Sequence, residues 1–420
     1  MNIKNKLTLM SFLQFFVWGA WLITVGNYWF ATKQWSGAEF GAIFSTLGLS
    51  SILMPALTGI IADRWVSAEK LYGILHILSA LAISYIPQVD NPTTFYWVIF
   101  AAMLCYMPTI SLSNSVAYNI LKNNAYDVVK VFPPIRVWGT IGFIVAMWLV
   151  NLSGNKASAN MFYISAISGV LLGLYSFTLP KCPPQKLIDP NAPLSKKLGL
   201  DAFRLFGTYK MALFFIFSMF LGAALQLTNM YGDVFLSEFG KVPEYANSII
   251  VTKSTIIMSI SQISETLFIL AIPFVLKRFG IKQVMLISMF AWVLRFGWFA
   301  YGNPADGLWM IIMSCIVYGM AFDFFNISGS LFIETSTDSK IRSSAQGLFM
   351  MMSNGFGAFF GGIVSGQVID HFFTHDGVRD WHNIWLSFAA YALVIAIAFA
   401  VMFKHKHMPE EAATMAQATH

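Results

Sequence analysis

Two carboxylates stand in stretches of chain that otherwise carry almost no charge: Glu265 within MSISQISETLFIL and Asp323 within YGMAFDFFNIS. Two arginines, Arg136 and Arg295, are set in similarly apolar surroundings. A charge at the centre of a hydrocarbon layer costs roughly 2.5 kcal/mol or more, so such a residue must face a wet cavity or a partner. A carboxylate in that position can take up and release a proton in a useful range, because burial and a nearby cation pull on its proton affinity in opposite directions. Of the twenty acidic residues in the chain, these two alone are read as lying deep in an apolar stretch. The chemistry they permit is reversible protonation beside a polar ligand.

Polar and aromatic companions recur around them at helical spacing. Arg136, Thr140 and Phe143 fall at i, i+4 and i+7, one face of a helix. Gln226 and Asn229 fall at i and i+3, as do Gln262 and Glu265. Tyr318, Phe322 and Asn326 form a further stripe with Asp323 at its flank. Amides in membrane helices often serve only as interhelical glue, worth about 0.6–2 kcal/mol each, and phenylalanines are usually packed or lipid-facing. Four such groupings around two acids and an arginine favour a binding cavity instead. At a rise of about 1.5 Å per residue, Arg136 and Asp323 lie at similar depths and Glu265 near the midplane, so the three are expected to share one charge network. Arg295, beyond the midplane, is expected to snorkel or pack. His76 is the one histidine read within a span and has no evident partners, so no nucleophile–base pair or metal cluster stands out. Aromatic faces, amides and a carboxylate suit a ligand with a flat ring and several hydroxyls; a nucleoside and a sugar both satisfy that description.

The elements that must position these residues follow from composition. Of 420 residues, 57% are hydrophobic and only 11% charged, against about 25% charged in soluble domains. So few charges cannot cover a soluble surface, which excludes soluble enzymes, nucleic-acid binders and disordered proteins. Apolar runs at 8–32 and 387–403 approach or exceed the roughly 20 residues needed to cross hydrocarbon. They are continuous rather than alternating, which argues against a β-barrel. Cys105, Cys182 and Cys315 lack paired spacing and give no disulfide framework or metal motif. The run after Lys4 and Lys6 is too long for a signal peptide and reads as an uncleaved first helix. Twelve spans are expected, near 9–31, 38–61, 71–88, 94–119, 130–152, 160–180, 209–231, 248–276, 283–301, 307–332, 344–368 and 383–403. They form two bundles of six helices, 1–180 and 209–404. A linker at 181–208 carrying Lys181, Lys186, Lys196, Lys197 and Arg204 joins them, and a short tail at 405–420 follows. With a cytoplasmic N-terminus, 19 of the 26 Lys and Arg fall on the cytoplasmic side. The reverse orientation inverts that bias, so both termini are expected in the cytoplasm.

The two halves carry equivalent basic turns, GIIADRW at 59–65 before Lys70, and Leu276-Lys277-Arg278-Phe279-Gly280 before Lys282, as a duplicated six-helix unit would leave. GIIADRW resembles the short motif of the major facilitator superfamily, with Gly59, Asp63 and Arg64 as the matching residues. Longer stretches are more specific. SFLQFFVWGAWL (11–22), FPPIRVWGTIGF (132–143), FFIFSMFLGAALQLTNM (214–230), IIMSISQISETLFIL (256–270), YGMAFDFFNISGS (318–330) and SAQGLFMMMSNGFG (344–357) resemble the bacterial nucleoside:proton symporters, nearly end to end.

That resemblance implies a nucleoside importer driven by protons, working by alternating access in the bacterial inner membrane, without metal or organic cofactor. It implies substrate contacts from Arg136, Thr140, Phe143, Gln226, Asn229, Gln262, Glu265, Tyr318 and Phe322; the polar stripe adds Asn326. Asp323 becomes the leading residue for proton coupling, with Glu265 and Arg136 in the same network. An oligosaccharide:proton symporter of the same fold is the alternative reading. A monomer is expected from the superfamily. The glycines at 355, 357, 361 and 362 are read as packing positions rather than a phosphate loop.

Overall fold

The computed structural model describes residues 2–184, 200–338 and 341–405. Lys186, Lys196 and Lys197 of the linker, and the tail beyond 405, lie outside the described residues. Among the described residues the architecture is helical, apart from a two-stranded hairpin pairing Thr374–His375 with Val378–Arg379.

The first half contains α1 (Ile3–Gly19), α2 (Gly37–Arg64), α3 (Ala68–Tyr85), α4 (Pro92–Asn123), α5 (Val128–Leu152) and α6 (Asn160–Ser176). The second contains α7 (Tyr209–Glu238), a continuous run Ser254–Tyr301, α10 (Leu308–Ser336) and α12 (Trp381–Met402). Between the last two, α11 runs over 342–372 with a π-helical stretch at Met351–Gly357. Nine helices among the described residues are long and apolar enough to cross a membrane. Gly280 divides the Ser254–Tyr301 run into α8 (254–279) and α9 (281–301), which makes ten; the 17-residue α1 and α6 complete twelve. Gly280 has φ 76°, a left-handed conformation that costs glycine least and so closes one helix and starts the next.

The first span departs from its expected form. The apolar run predicts an uninterrupted helix over 9–31, but α1 ends at Gly19 and the chain resumes as one turn at Val25–Asn27 and a π segment at Tyr28–Thr32. Residues 20–29 are all buried, among them Trp21, Tyr28 and Trp29. Their rings pack on Phe95 and Phe162 from α4 and α6. Large aromatics wedged on every side displace the regular ladder, and a run that is apolar throughout carries no periodicity to announce the break.

The chain divides into two compact units. One comprises residues to Trp35 and from Ser45 to the linker; the other takes Ser36–Phe44 and the described residues from Asp201 to 405. In the first, α1 packs on α5, and α3 packs on α4 and α6. In the second, α8 and α9 pack on α10, α9 meets α12, and α7 lies along α11. A Cβ at Gly357 would stand 2.6 Å from the Met219 carbonyl oxygen and one at Gly361 2.7 Å from the Ala223 Cα. These α11 glycines therefore serve backbone-to-backbone packing on α7. Outward faces remain apolar: Leu81, Ile167, Leu270 and Val401 are exposed and Phe274 is 79% exposed. A surface of that kind is stable only against lipid tails.

Candidate functional site

In the first unit, α5 carries Arg136, Thr140 and Phe143 along one face, against α1. The Arg136 guanidinium carbon lies 4.0 Å above the centre of the Phe15 ring, a cation–π arrangement. Phe143 is buried and meets the Trp18 ring edge-on, centroids 6.3 Å apart at 88°. Trp18 Nε1 is a buried donor with no hydrogen-bond partner among the described residues. Behind this face lies a network that the sequence did not reveal. Gln14 Nε2 donates to Thr109 Oγ1 at 2.9 Å, and Gln14 Oε1 accepts from Tyr72 at 2.6 Å and contacts His76 Nε2 at 2.9 Å. Tyr106 donates to the Gln14 carbonyl at 2.7 Å and tilts against Trp18. His76 therefore has partners, contrary to its sequence reading. Gln14 comes from α1 and Tyr106 from α4, at distances in the chain that spacing alone does not connect, while Tyr72 lies one turn earlier on α3.

The second unit holds the other expected residues on α7, α8 and α10. Gly319 brings α8 and α10 into backbone contact: a Cβ there would stand 2.6 Å from the Glu265 nitrogen and from the Ser264 carbonyl oxygen. Ser264 seals the crossing, its hydroxyl accepting from the Gly319 N–H at 3.2 Å and donating to the Ile316 carbonyl. That crossing sets Glu265 beside the helix that carries Tyr318, Phe322 and Asp323, and the two acids act on one another electrostatically. Tyr318 and Phe322 lie parallel, 5.9 Å apart at 8°. Trp292 of α9 meets Tyr318 edge-on at 5.9 Å and 88°.

Three buried oxygens on three helices have no hydrogen-bond partner among the described residues: Gln226 Oε1 on α7, Gln262 Oε1 on α8 and Asp323 Oδ2 on α10. Buried polar atoms are nearly always satisfied, so each of these oxygens, like those of Thr228, Tyr231 and Ser328 in the same unit, is open to water, a proton or a ligand. Asn326 spends its amide on its own helix, donating to the Phe322 carbonyl at 3.0 Å. It also lines a cavity of about 20 Å³, with Gly222, Trp292, Phe322, Ser353 and Asn354, roughly the room one water needs. Trp292, Ser353 and Asn354 were absent from the sequence reading; the last two lie in the π-helical stretch of α11, whose wider turn shifts the helical register. Asn229 is half-buried on α7.

The count of deep acids also needs correction. Asp233 on α7 is fully buried and accepts from Thr255 Oγ1 at 3.1 Å. The helix reaches Glu238, so Asp233, placed beyond the expected end at 231, belongs to it. Glu69, at the start of α3, is likewise buried and accepts from the Cys182 N–H at 2.8 Å, tying the chain after α6 to α3. Gly59, Asp63 and Arg64 form the last turns of α2 rather than a loop, with open space about Gly59. Among the described residues no three His, Cys, Asp or Glu side chains gather as a metal would require.

A model of the family described as nucleoside H+ symporter matches residues 1–408. The nucleoside permease NupG of Escherichia coli (strain K12) is 52% identical over 409 residues, 97% of either chain. The xanthosine permease of the same organism is 50% identical over 412 residues, 98% of either chain. A crystal structure of the nucleoside transporter NupG, 52% identical, covers 97% of this chain and 100% of that one with a TM-score of 0.90. The fold is that of the major facilitator superfamily.

Proposed function

This chain belongs to the nucleoside H+ symporter family, as a proton-coupled nucleoside transporter and no enzyme, and from that premise we propose how its residues divide the work. The aromatic faces of Phe143, Tyr318 and Phe322 hold the base. In the second unit Gln226, Asn229 and Gln262 read its polar edge, assisted by Asn326, and Glu265 holds the ribose hydroxyls; in the first unit Thr140 and Arg136 offer polar contacts to the nucleoside. Asp323 carries the proton. Its uncharged form is made by taking a proton from outside, and its charged form is left when that proton is released to the cytoplasm. Exchange between the two forms shifts the balance between outward- and inward-open arrangements, as alternating access requires.

The observations that carry this reading are the buried oxygens of Gln226, Gln262 and Asp323 without a hydrogen-bond partner among the described residues, and the parallel Tyr318–Phe322 pair. Amide oxygens suit the N–H and amino edges of a base, a stacked pair suits its face, and an unpaired carboxylate oxygen suits a proton. The Lys and Arg bias supports both termini on the cytoplasmic side of a bacterial inner membrane, and a single chain supplies all of these residues, in keeping with a monomer. The test is competition for labelled uridine uptake into proteoliposomes under an inward proton gradient. Unlabelled nucleosides should compete and disaccharides should not; competition by disaccharides alone would replace this reading with oligosaccharide transport.

A further inference from the structure

Arg295 lies in α9 and is buried within the protein, at 1% exposure. Its Nη1 donates to the Ser314 carbonyl at 2.6 Å and to Ser261 Oγ at 3.3 Å, while Ser314 Oγ donates back to the Arg295 carbonyl at 2.8 Å. One side chain thereby ties α8, α9 and α10 together. Its Nε has no hydrogen-bond partner, and none of the ion pairs among the described residues includes it. An arginine buried without a carboxylate is costly and removes no opposing charge. Beside the Cys315 side chain, the cation faces two aromatic rings: its guanidinium carbon is 4.6 Å from the centre of the Tyr318 ring and 5.2 Å from that of Phe299. A planar guanidinium stacks on such a face, and the attraction is strongest where water is excluded. Tyr318 in turn lies parallel to Phe322 and is met edge-on by Trp292.

We propose that Arg295 is a positioning residue for nucleoside binding: anchored by Ser261 and Ser314, its guanidinium fixes the Tyr318 ring, and through it Phe322, in the orientation that receives the base. The inference rests on the assignment of Tyr318 and Phe322 to the nucleoside site. Arginine suits the role better than lysine, since a lysine ammonium keeps the charge but lacks the plane that covers the ring.

The test is uridine affinity measured calorimetrically on the full purified chain, for Arg295→Gln, Arg295→Lys, Tyr318→Ala and the two Arg295 substitutions combined with Tyr318→Ala, with thermal midpoints recorded alongside. Arg295→Gln should weaken binding roughly three- to thirtyfold, and Arg295→Lys less. In the Tyr318→Ala background neither substitution should weaken binding further by more than about twofold, because the group through which Arg295 acts is gone. A role confined to holding the helices would instead multiply the two losses, and that result, or unchanged affinity in Arg295→Gln, overturns the proposal. Should Arg295→Gln fail to fold, the Arg295→Lys pair is judged by the same comparison. Unchanged affinity in Tyr318→Ala alone would refute the nucleoside-site assignment, and this inference would fall with it.

Discussion

Asp323, Gln226 and Gln262 each keep a buried oxygen without a donor, and the functional reading turns on what satisfies those atoms. Glu265, beside the α8–α10 crossing, differs from Asp323 in being only half-buried, which suits an acceptor for ligand hydroxyls rather than a proton carrier. Glu265→Gln should therefore weaken uridine binding by about ten- to a hundredfold, the loss of a charge-assisted hydrogen bond; calorimetry on the purified variant measures it, and unchanged affinity would remove Glu265 from the site. Phe322→Ala should cost a similar factor, since stacking of a base on an aromatic ring is worth about 1–3 kcal/mol. Phe143→Ala should do likewise in the first unit, and a loss in neither variant would mean that the two rings serve packing alone. These residues were legible because few polar side chains occur in apolar stretches and because they recur at i, i+3 and i+4. Trp18, Trp292 and the Gln14–Tyr72–His76 network were not. Aromatic residues are abundant in every span, and only tertiary packing tells a ring that faces a cavity from one that faces lipid.

At the scale of elements, composition and length sufficed for twelve helices, and the pattern of Lys and Arg marked the turns between them. The break after Gly19 and the π segments at 28–32 and 351–357 were hidden, since hydrophobicity reports burial and not the hydrogen-bond ladder. The α8–α10 crossing was hidden as well: Gly319 looks like any other glycine until a neighbouring main chain is seen against it. Gly319→Ala should push the two helices apart, because its Cβ would fall 2.6 Å from the Glu265 nitrogen; overpacking of that kind costs about 1–3 kcal/mol. A lowered thermal midpoint together with weaker uridine binding is the expected result, and an unchanged pair of values would deny that this contact positions Glu265. At the start of α12, Asp380 accepts from the Asn383 N–H at 3.1 Å and from its side-chain amide at 2.7 Å. These bonds, first the side-chain amide and then the backbone, hold its carboxyl below the usual range. A depressed carboxyl contributes stability that is present above the ordinary aspartate pKa of about 3.9 and is lost as pH falls through the lower folded value. Asp380→Ala should thus cost about 1 kcal/mol of stability at pH 7, as loss of an N-cap does, and lower the thermal midpoint. The difference from the parent should shrink once the solution is acidic enough to protonate the carboxyl, and a constant difference would show that the cap is not the cause.

For the whole molecule, the apolar outer faces commit the chain to the bilayer, and family membership makes it a proton-coupled nucleoside transporter. Coupling is a property of the complete cycle: a proton gradient drives accumulation only if one group binds the proton with an affinity that differs between the two arrangements of the protein. The account assigns that group to Asp323, whose unpartnered oxygen lies in the second unit beside Glu265. An amide at this position still offers an oxygen to the ligand but cannot take up the proton. The direct measurement compares the parent protein with Asp323→Asn in proteoliposomes, recording uridine affinity, uridine exchange between the two sides, and accumulation driven by an inward proton gradient. The account predicts that Asp323→Asn binds and exchanges uridine yet fails to concentrate it, whereas uphill accumulation by Asp323→Asn in response to the gradient would contradict it.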